Sequence, residues 1–342
     1  MKLGLMVGYS GARLGLDVAG VLEAERLGYD SVWTAEAWGS DAVSPLAWLG
    51  AKTSRIRLGT AVMQLPGRSP ANTAMTAMTL DALSGGRHIL GLGTSGPQVV
   101  EGWHGVPWDR PLTWMREYIA IVRQIFARQA PLEFEGERYQ IPYRGPGSQG
   151  LGKPLKSILH GRADIPIFAG SMAPKGQALA AELCDGVLLT CMNPERPEVV
   201  ERNLQEGLAR RTDGRTRAQL EVAPVVAVCL GDDLEACRAH YRPQLALYLG
   251  GMGAREKNFY KEYVMRAGFE AEADRIQELW CAGQKQEAMA AVPDAMIDAL
   301  NLVGSKERIR DRFQVWKASG VSTLLVGAHQ PEAVRLLAEL NA

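Results

Sequence analysis

One pattern constrains this chain more than any other. Short apolar runs of strand length alternate with amphipathic helices from one end to the other. The runs are Leu3–Val7, Asp30–Thr34, Ile56–Val62, Arg87–Leu92, Ile165–Ala169, Gly186–Thr190, Glu221–Cys229 and Ser322–Val326. The helices read as Asp17–Leu27, Ser44–Lys52, Ser69–Leu83, Thr113–Ala127, Lys175–Leu183, Glu198–Ala209, Asp233–Tyr248, Lys306–Ala318 and Pro331–Leu340. The strands are apolar on both faces, as a parallel sheet covered on each side requires. Eight such units without a break in composition point to one (β/α)8 TIM barrel over residues 1–342. Insertions are expected at about 130–164 and 250–300, after strands four and seven. A doubly wound sheet uses the same alternation, so the count alone leaves that alternative open. In a barrel the reacting groups lie at the C-terminal ends of the strands. That selects Gly8-Tyr9, Ala35–Trp38, Ala61–Gln64, Gly93–Gly96, Gly170-Ser171 and Thr190–Asn193. Both insertions are expected to cover that face.

Composition narrows the function classes. Lys plus Arg equals Asp plus Glu at 38 each, and no basic stripe stands out, so neither nucleic acid nor an anionic membrane is an expected partner. Cys184, Cys191, Cys229, Cys237 and Cys281 form no C-x-x-C pair and read as scattered reduced thiols. His88, His104, His160, His240 and His329 do not pair at metal-ligand spacing, so no metal site is expected. The apolar run at Leu3–Val7 is too short for a signal peptide, and no stretch reaches spanning length, so a cytoplasmic protein is expected.

The most informative stretch is Thr79–Gly96, T-L-D-A-L-S-G-G-R-H-I-L-G-L-G-T-S-G. It reads as a helix end, a turn at Gly85-Gly86, a buried strand and a glycine loop open to close approach by a ligand. Gly91–Gly96 formally satisfies G-x-G-x-x-G. A dinucleotide fingerprint belongs after the first strand of its unit, however, and this one follows the fourth, with no clear helix until Thr113. The remaining readings are a tight turn or a loop that wraps part of a cofactor inside a barrel.

That stretch resembles the strand-four region of the bacterial luciferase-like family of flavin and deazaflavin barrel enzymes. Leu27–Trp33 resembles the family's second strand and Arg57–Val62 its third. Ile165–Ile167 with Ala181–Val187 resembles the fifth and sixth, in the right order. Thr34–Asp41, Leu245–Gly253 and Lys257–Tyr260 resemble a mycobacterial-type subgroup of oxidoreductases that use coenzyme F420.

The resemblance implies roles position by position. A cis peptide at the end of strand three, forming a bulge behind the cofactor ring, corresponds to Ala61–Val62, and Tyr9, Trp38, Met63 and Gln64 are expected around the ring. Gly93, Thr94, Ser95 and Gly96 would supply the strand-four loop. The segment Gly170, Ser171, Pro174 and Lys175 leads into a helix whose free N–H groups suit a cofactor phosphate, with Cys191 as a contact beside it. Glu36 corresponds to an acidic residue near the ring, and stands either as a proton-transfer group or as an acceptor for a neighbouring N–H. His104 is a second candidate proton donor. The sugar-phosphate branch has a histidine where this chain has Ala37, and a glutamate where it has Gly96. Those departures argue against that substrate. Gly250–Gly253 among Tyr248, Phe259, Tyr260 and Tyr263 suits a lid, a pocket wall or a dimer surface.

The implied function is an F420-dependent oxidoreductase moving a hydride between deazaflavin C5 and a small organic substrate, a carbonyl, imine or activated alkene. The alternative is a monooxygenase using O2 and reduced FMN from a separate reductase. A third class is a binding protein that keeps the cofactor site without turnover. A homodimer is expected from family habit.

Overall fold

The computed structural model describes residues 1–328 and 330–342; His329 lies outside them. Eight strands form the barrel: β1 (Lys2–Gly8), β2 (Ser31–Thr34), β3 (Arg57–Thr60), β4 (His88–Gly93), β5 (Ile167–Gly170), β6 (Gly186–Thr190), β7 (Glu221–Leu230) and β8 (Thr323–Ala328). Each pairs in parallel with the next, and β8 pairs with β1. The ring is closed, so the fold is the TIM barrel and not the open doubly wound sheet.

The outer helices are α1 (Val18–Arg26), α2 (Val43–Gly50), α3 (Pro70–Leu83), α4 (Pro111–Ala127), α5 (Pro174–Leu183), α6 (Glu198–Leu208), α7 (Lys306–Ala318) and α8 (Pro331–Asn341). Side-chain caps mark several starts: Asp17 accepts from the Gly20 N–H, Ser69 from Asn72 and Ser305 from Arg308.

The barrel interior is filled, not hollow. Trp33, Ile89, Phe168, Leu188, Ala223 and Leu325 form one buried cluster, with the Trp33 and Phe168 rings 5.6 Å apart. Gly59 makes room for it, since a Cβ there would lie 2.2 Å from the Trp33 ring. Near the N-terminal ends of the strands, Arg57 pairs with Asp30 and Glu221, and Lys2 with Glu221. The packed rings leave the C-terminal end as the part of the barrel that can hold a ligand.

Two segments differ from their sequence reading. The helix after β7 runs from Leu234 to Gly250, but it is not the barrel's outer helix. It opens a cap with the helices Phe259–Arg266, Glu270–Cys281, Lys285–Ala290 and Asp294–Leu300. The chain then returns through a short strand, Leu302–Gly304, which pairs in parallel with the end of β7 at Val228–Leu230. Only after that does α7 provide the outer layer. The cap therefore begins well before residue 250, and has its own core of Tyr241, Leu245, Leu249, Ile276, Met296 and Ile297, among others. The segment between α4 and β5 departs in the other direction. It forms a small hairpin, Phe134–Glu135 with Gln140–Ile141, held against α4 by the Glu117 carboxylate, which accepts from the Glu137, Arg138 and Tyr139 N–H groups. None of residues 131–164 lines the cavity at the strand ends, so this segment does not cover that face as expected.

Candidate active site

A cavity of about 1080 Å³ opens at the C-terminal face of the barrel, between the strand ends and the cap. Most of the expected positions meet there. Gly93, Thr94, Ser95 and Gly96 line it from the strand-four loop; Gly170, Ser171, Pro174 and Lys175 from the fifth unit; Tyr9, Glu36, Trp38, Ala61, Val62 and Gln64 from the first three. Among the described residues no helix is long and apolar enough to cross a membrane, and no cluster of His, Cys, Asp or Glu is arranged to hold a metal ion.

The wall at strand three is built from backbone. The Ala61–Val62 peptide is cis, and β3 stops at Thr60 before the strand resumes at Met63–Gln64. Val62 protrudes there. A Cβ on Gly93 would lie 2.5 Å from Val62 Cγ2, and one on Gly170 would lie 3.0 Å from Val62 Cγ1. The two glycines let neighbouring strands close around one branched side chain, giving a smooth apolar surface with no polar group of its own. A flat ring system fits such a surface.

The polar wall is a linked network. The Glu36 carboxylate accepts from the Gln64 N–H at 2.8 Å, the Ala42 N–H at 3.1 Å and the Arg68 guanidinium at 2.6 Å. The Gln64 side-chain amide donates to the Glu36 carbonyl at 3.2 Å and to Ser95 Oγ at 3.3 Å, and its oxygen accepts from His104 Nε2 at 2.8 Å. That last bond places the imidazole proton on Nε2. Burial, with the Arg68 charge behind it, holds the His104 pKa below its ordinary value against the opposing pull of Glu36. Glu36 thus accepts three hydrogen bonds, two of them from backbone N–H groups.

Three expected residues stand elsewhere. His104 supports Gln64 from behind and does not line the cavity. Met63 is fully buried in the main core, since strand alternation turns Val62 and Gln64 inward and Met63 away. Cys191 packs between the barrel and cap cores at a positive φ of 54°, while its neighbour Thr190 lines the cavity. Burial raises the Cys191 thiol to about 11, away from the range of an activated thiolate.

At the fifth unit, α5 starts at Pro174 with no side-chain cap. Ser171 lies over its first turn, 2.0 Å from where a Cβ on Gly176 would stand, and Lys175 and Gly176 line the cavity. A first helical turn without a cap, beside a lysine, suits an anion.

Sequence reasoning missed the far side of the cavity. Tyr241 and Gln244 come from the first cap helix, Trp108 from the loop before α4, and Leu112 and Met115 from the first turns of α4. The Trp108 and Leu112 contribution had no signal in sequence. The Tyr241 contribution had one, because Tyr241, Gln244 and Tyr248 recur at helical spacing on one face.

Comparison with known proteins agrees with this architecture. The profile of the luciferase-like monooxygenase family matches residues 4–323. A Mycobacterium tuberculosis protein, provisionally named a coenzyme F420-dependent oxidoreductase, is 48% identical over 342 residues, covering 99% of each chain. A 5,10-methylenetetrahydromethanopterin reductase of Archaeoglobus fulgidus is 30% identical over 308 residues, covering 89% of this chain and 87% of its own. The solved structure of the coenzyme F420-dependent tetrahydromethanopterin reductase of Methanopyrus kandleri superposes with a TM-score of 0.80 at 23% identity, over 99% of this chain and 97% of its own.

Proposed function

Because the chain belongs to the luciferase-like monooxygenase family, we propose that this oxidoreductase uses coenzyme F420 to pass a hydride to or from a small organic substrate, a carbonyl, imine or activated alkene. The observation that carries the proposal is the whole-length match, at 48% identity, to a protein named for that coenzyme. The cavity fits the group. The Val62 surface between Gly93 and Gly170 suits a flat tricyclic ring, and the uncapped start of α5 with Lys175 suits its phosphate. The volume leaves room for a second molecule.

When bound, the deazaflavin supplies a two-electron hydride and reacts poorly with oxygen, whereas reduced FMN reacts readily. The chain's own part is placement. Val62 and its flanking glycines present one apolar face. Gln64 is fixed by His104, Ser95 and Glu36, so its amide keeps one orientation beside the ring site. Arg68 and two backbone N–H donors hold the Glu36 carboxylate in place against β3 and α2, so we assign it a positioning role and not proton delivery. The cap closes over the strand ends and limits water.

The test is a reaction assay under nitrogen. Reduced F420 should be oxidised in step with loss of an added enone or ketone. Substrate conversion only with reduced FMN and oxygen, with matching oxygen uptake, would replace this reading with the monooxygenase.

A further inference from the structure

The two sides of the cavity differ in chemistry. Toward β3–β6 the lining is glycine backbone, small hydroxyls, Gln64, the Val62 surface and aliphatic side chains such as Leu188 and Met172, with Trp108 as its aromatic ring. Toward β1, β2 and the cap it is aromatic. Tyr9 and Trp38 come from the strand ends, and Tyr241, Tyr248, Phe259 and Tyr260 from the cap. Tyr248 and Tyr260 meet edge to face, with centroids 4.6 Å apart and planes at 86°. Met252, between Gly251 and Gly253, adds an adaptable apolar side chain. The other long side chains on the cap side are Gln244 and Lys257, and Lys257 lies 5.6 Å from the Phe259 ring.

Six rings on one wall exceed what a small hydrated substrate needs. A sugar or a short hydroxy ketone would have to shed water there for few hydrogen bonds in return. A planar, ring-bearing substrate would instead stack or meet these faces edge-on, with favourable geometry already set by the Tyr248–Tyr260 pair. The rings are also cheap in conformational entropy to order around a ligand. Trp38 is half exposed, at 50%, so part of this aromatic wall is open to what enters the cavity.

We propose that the substrate compartment is this aromatic wall, and that its substrates are aryl-substituted or polycyclic ketones and conjugated enones. The inference rests on the F420 reading for the reaction, but the binding preference stands on the wall alone. Hydride addition to such an enone, with a proton from water, reduces its C=C bond and returns the cofactor to its oxidised form.

Calorimetric titration separates the two. Protein is titrated with benzylideneacetone and with pent-3-en-2-one, which carries a methyl in place of the phenyl group. Oxidised F420 is titrated separately in the same buffer. The aryl enone should bind at least about tenfold more tightly than the alkyl enone. In Phe259→Leu and Tyr260→Leu, which keep apolar bulk without the ring, that ratio should fall below about threefold while F420 affinity stays within about twofold. Equal binding of the two enones to the wild type, or an undiminished ratio in both variants, would overturn the proposal. Loss of F420 binding in the wild type would overturn the cofactor reading and leave the enone ratio still decisive for the wall. A circular-dichroism melt confirms that each variant is folded.

Discussion

The Glu36 carboxylate and the Arg68 guanidinium meet at 2.6 Å, with side chains only 9% and 18% exposed. The same carboxylate caps two backbone N–H groups, at Ala42 and Gln64. One residue at the end of β2 therefore fixes the start of α2 and the continuation of strand three. Removing either partner leaves the other's charge poorly solvated. Glu36→Gln should lower the unfolding free energy by about 3 kcal/mol. Arg68→Met should cost less than Glu36→Gln, because the carboxylate keeps its two N–H donors. The double variant should cost less than the sum of the two, measured by urea unfolding. Additive losses would mean that the pair is not coupled.

Val62 and Gly93 define the ring wall, and their fit can be tested by exchange of volume. Gly93→Ala places a methyl 2.5 Å from Val62 Cγ2. The variant should be destabilised by about 1–3 kcal/mol from overpacking and should bind cofactor weakly. Adding Val62→Ala should recover most of the stability. Failure of the second change to recover it would show that the glycine is needed for some reason other than Val62.

Lys175 at the start of α5 should act through charge. Lys175→Glu should weaken F420 binding by about tenfold or more at low salt, and Lys175→Met by less. Rising salt should narrow the gap between the wild type and Lys175→Met. A Lys175→Glu protein that binds F420 as the wild type does would move the phosphate elsewhere.

Acid should weaken the fold through His88. This residue is 1% exposed on β4, its Nδ1–H donates to the Leu58 carbonyl at 3.0 Å, and Nε2 has no partner among the described residues. Burial lowers its pKa to about 4, from about 6.5 in an open chain. The unfolded chain therefore takes up a proton first as pH falls. The contribution to stability is complete above about pH 6.5 and declines as pH drops toward 4, by about 3 kcal/mol in all. His88→Gln should flatten that limb in chemical unfolding measured from pH 7 to 4. An unchanged acid limb would assign the effect to carboxylates.

The barrel was legible because its signal is repeated. Each of Val32, Leu58, Ile89, Ile167, Val187 and Val326 sits in a short run that must be buried on both faces. No single run needed to be read correctly for the alternation to stand. The cap was misread for a physical reason. The helix starting at Leu234 looks like any outer helix, and what reassigns it is the three-residue strand Leu302–Gly304 returning to β7. That pairing spans more than 70 positions and leaves no local pattern. Met63 was placed at the ring although strand alternation, applied to Val62 and Gln64, already turned it away. His104 and Glu36 were legible as neighbours of the site, but their commitments to Gln64 and Arg68 depend on contacts 28 to 40 positions apart.

The central claim is the cofactor, and one titration addresses it. Purified protein freed of cofactor is mixed with increasing oxidised F420, and in parallel with FMN, and cofactor fluorescence is followed. The account predicts F420 dissociation constants in the micromolar range or below, with FMN weaker by about tenfold or more. Equal or tighter binding of FMN would contradict it.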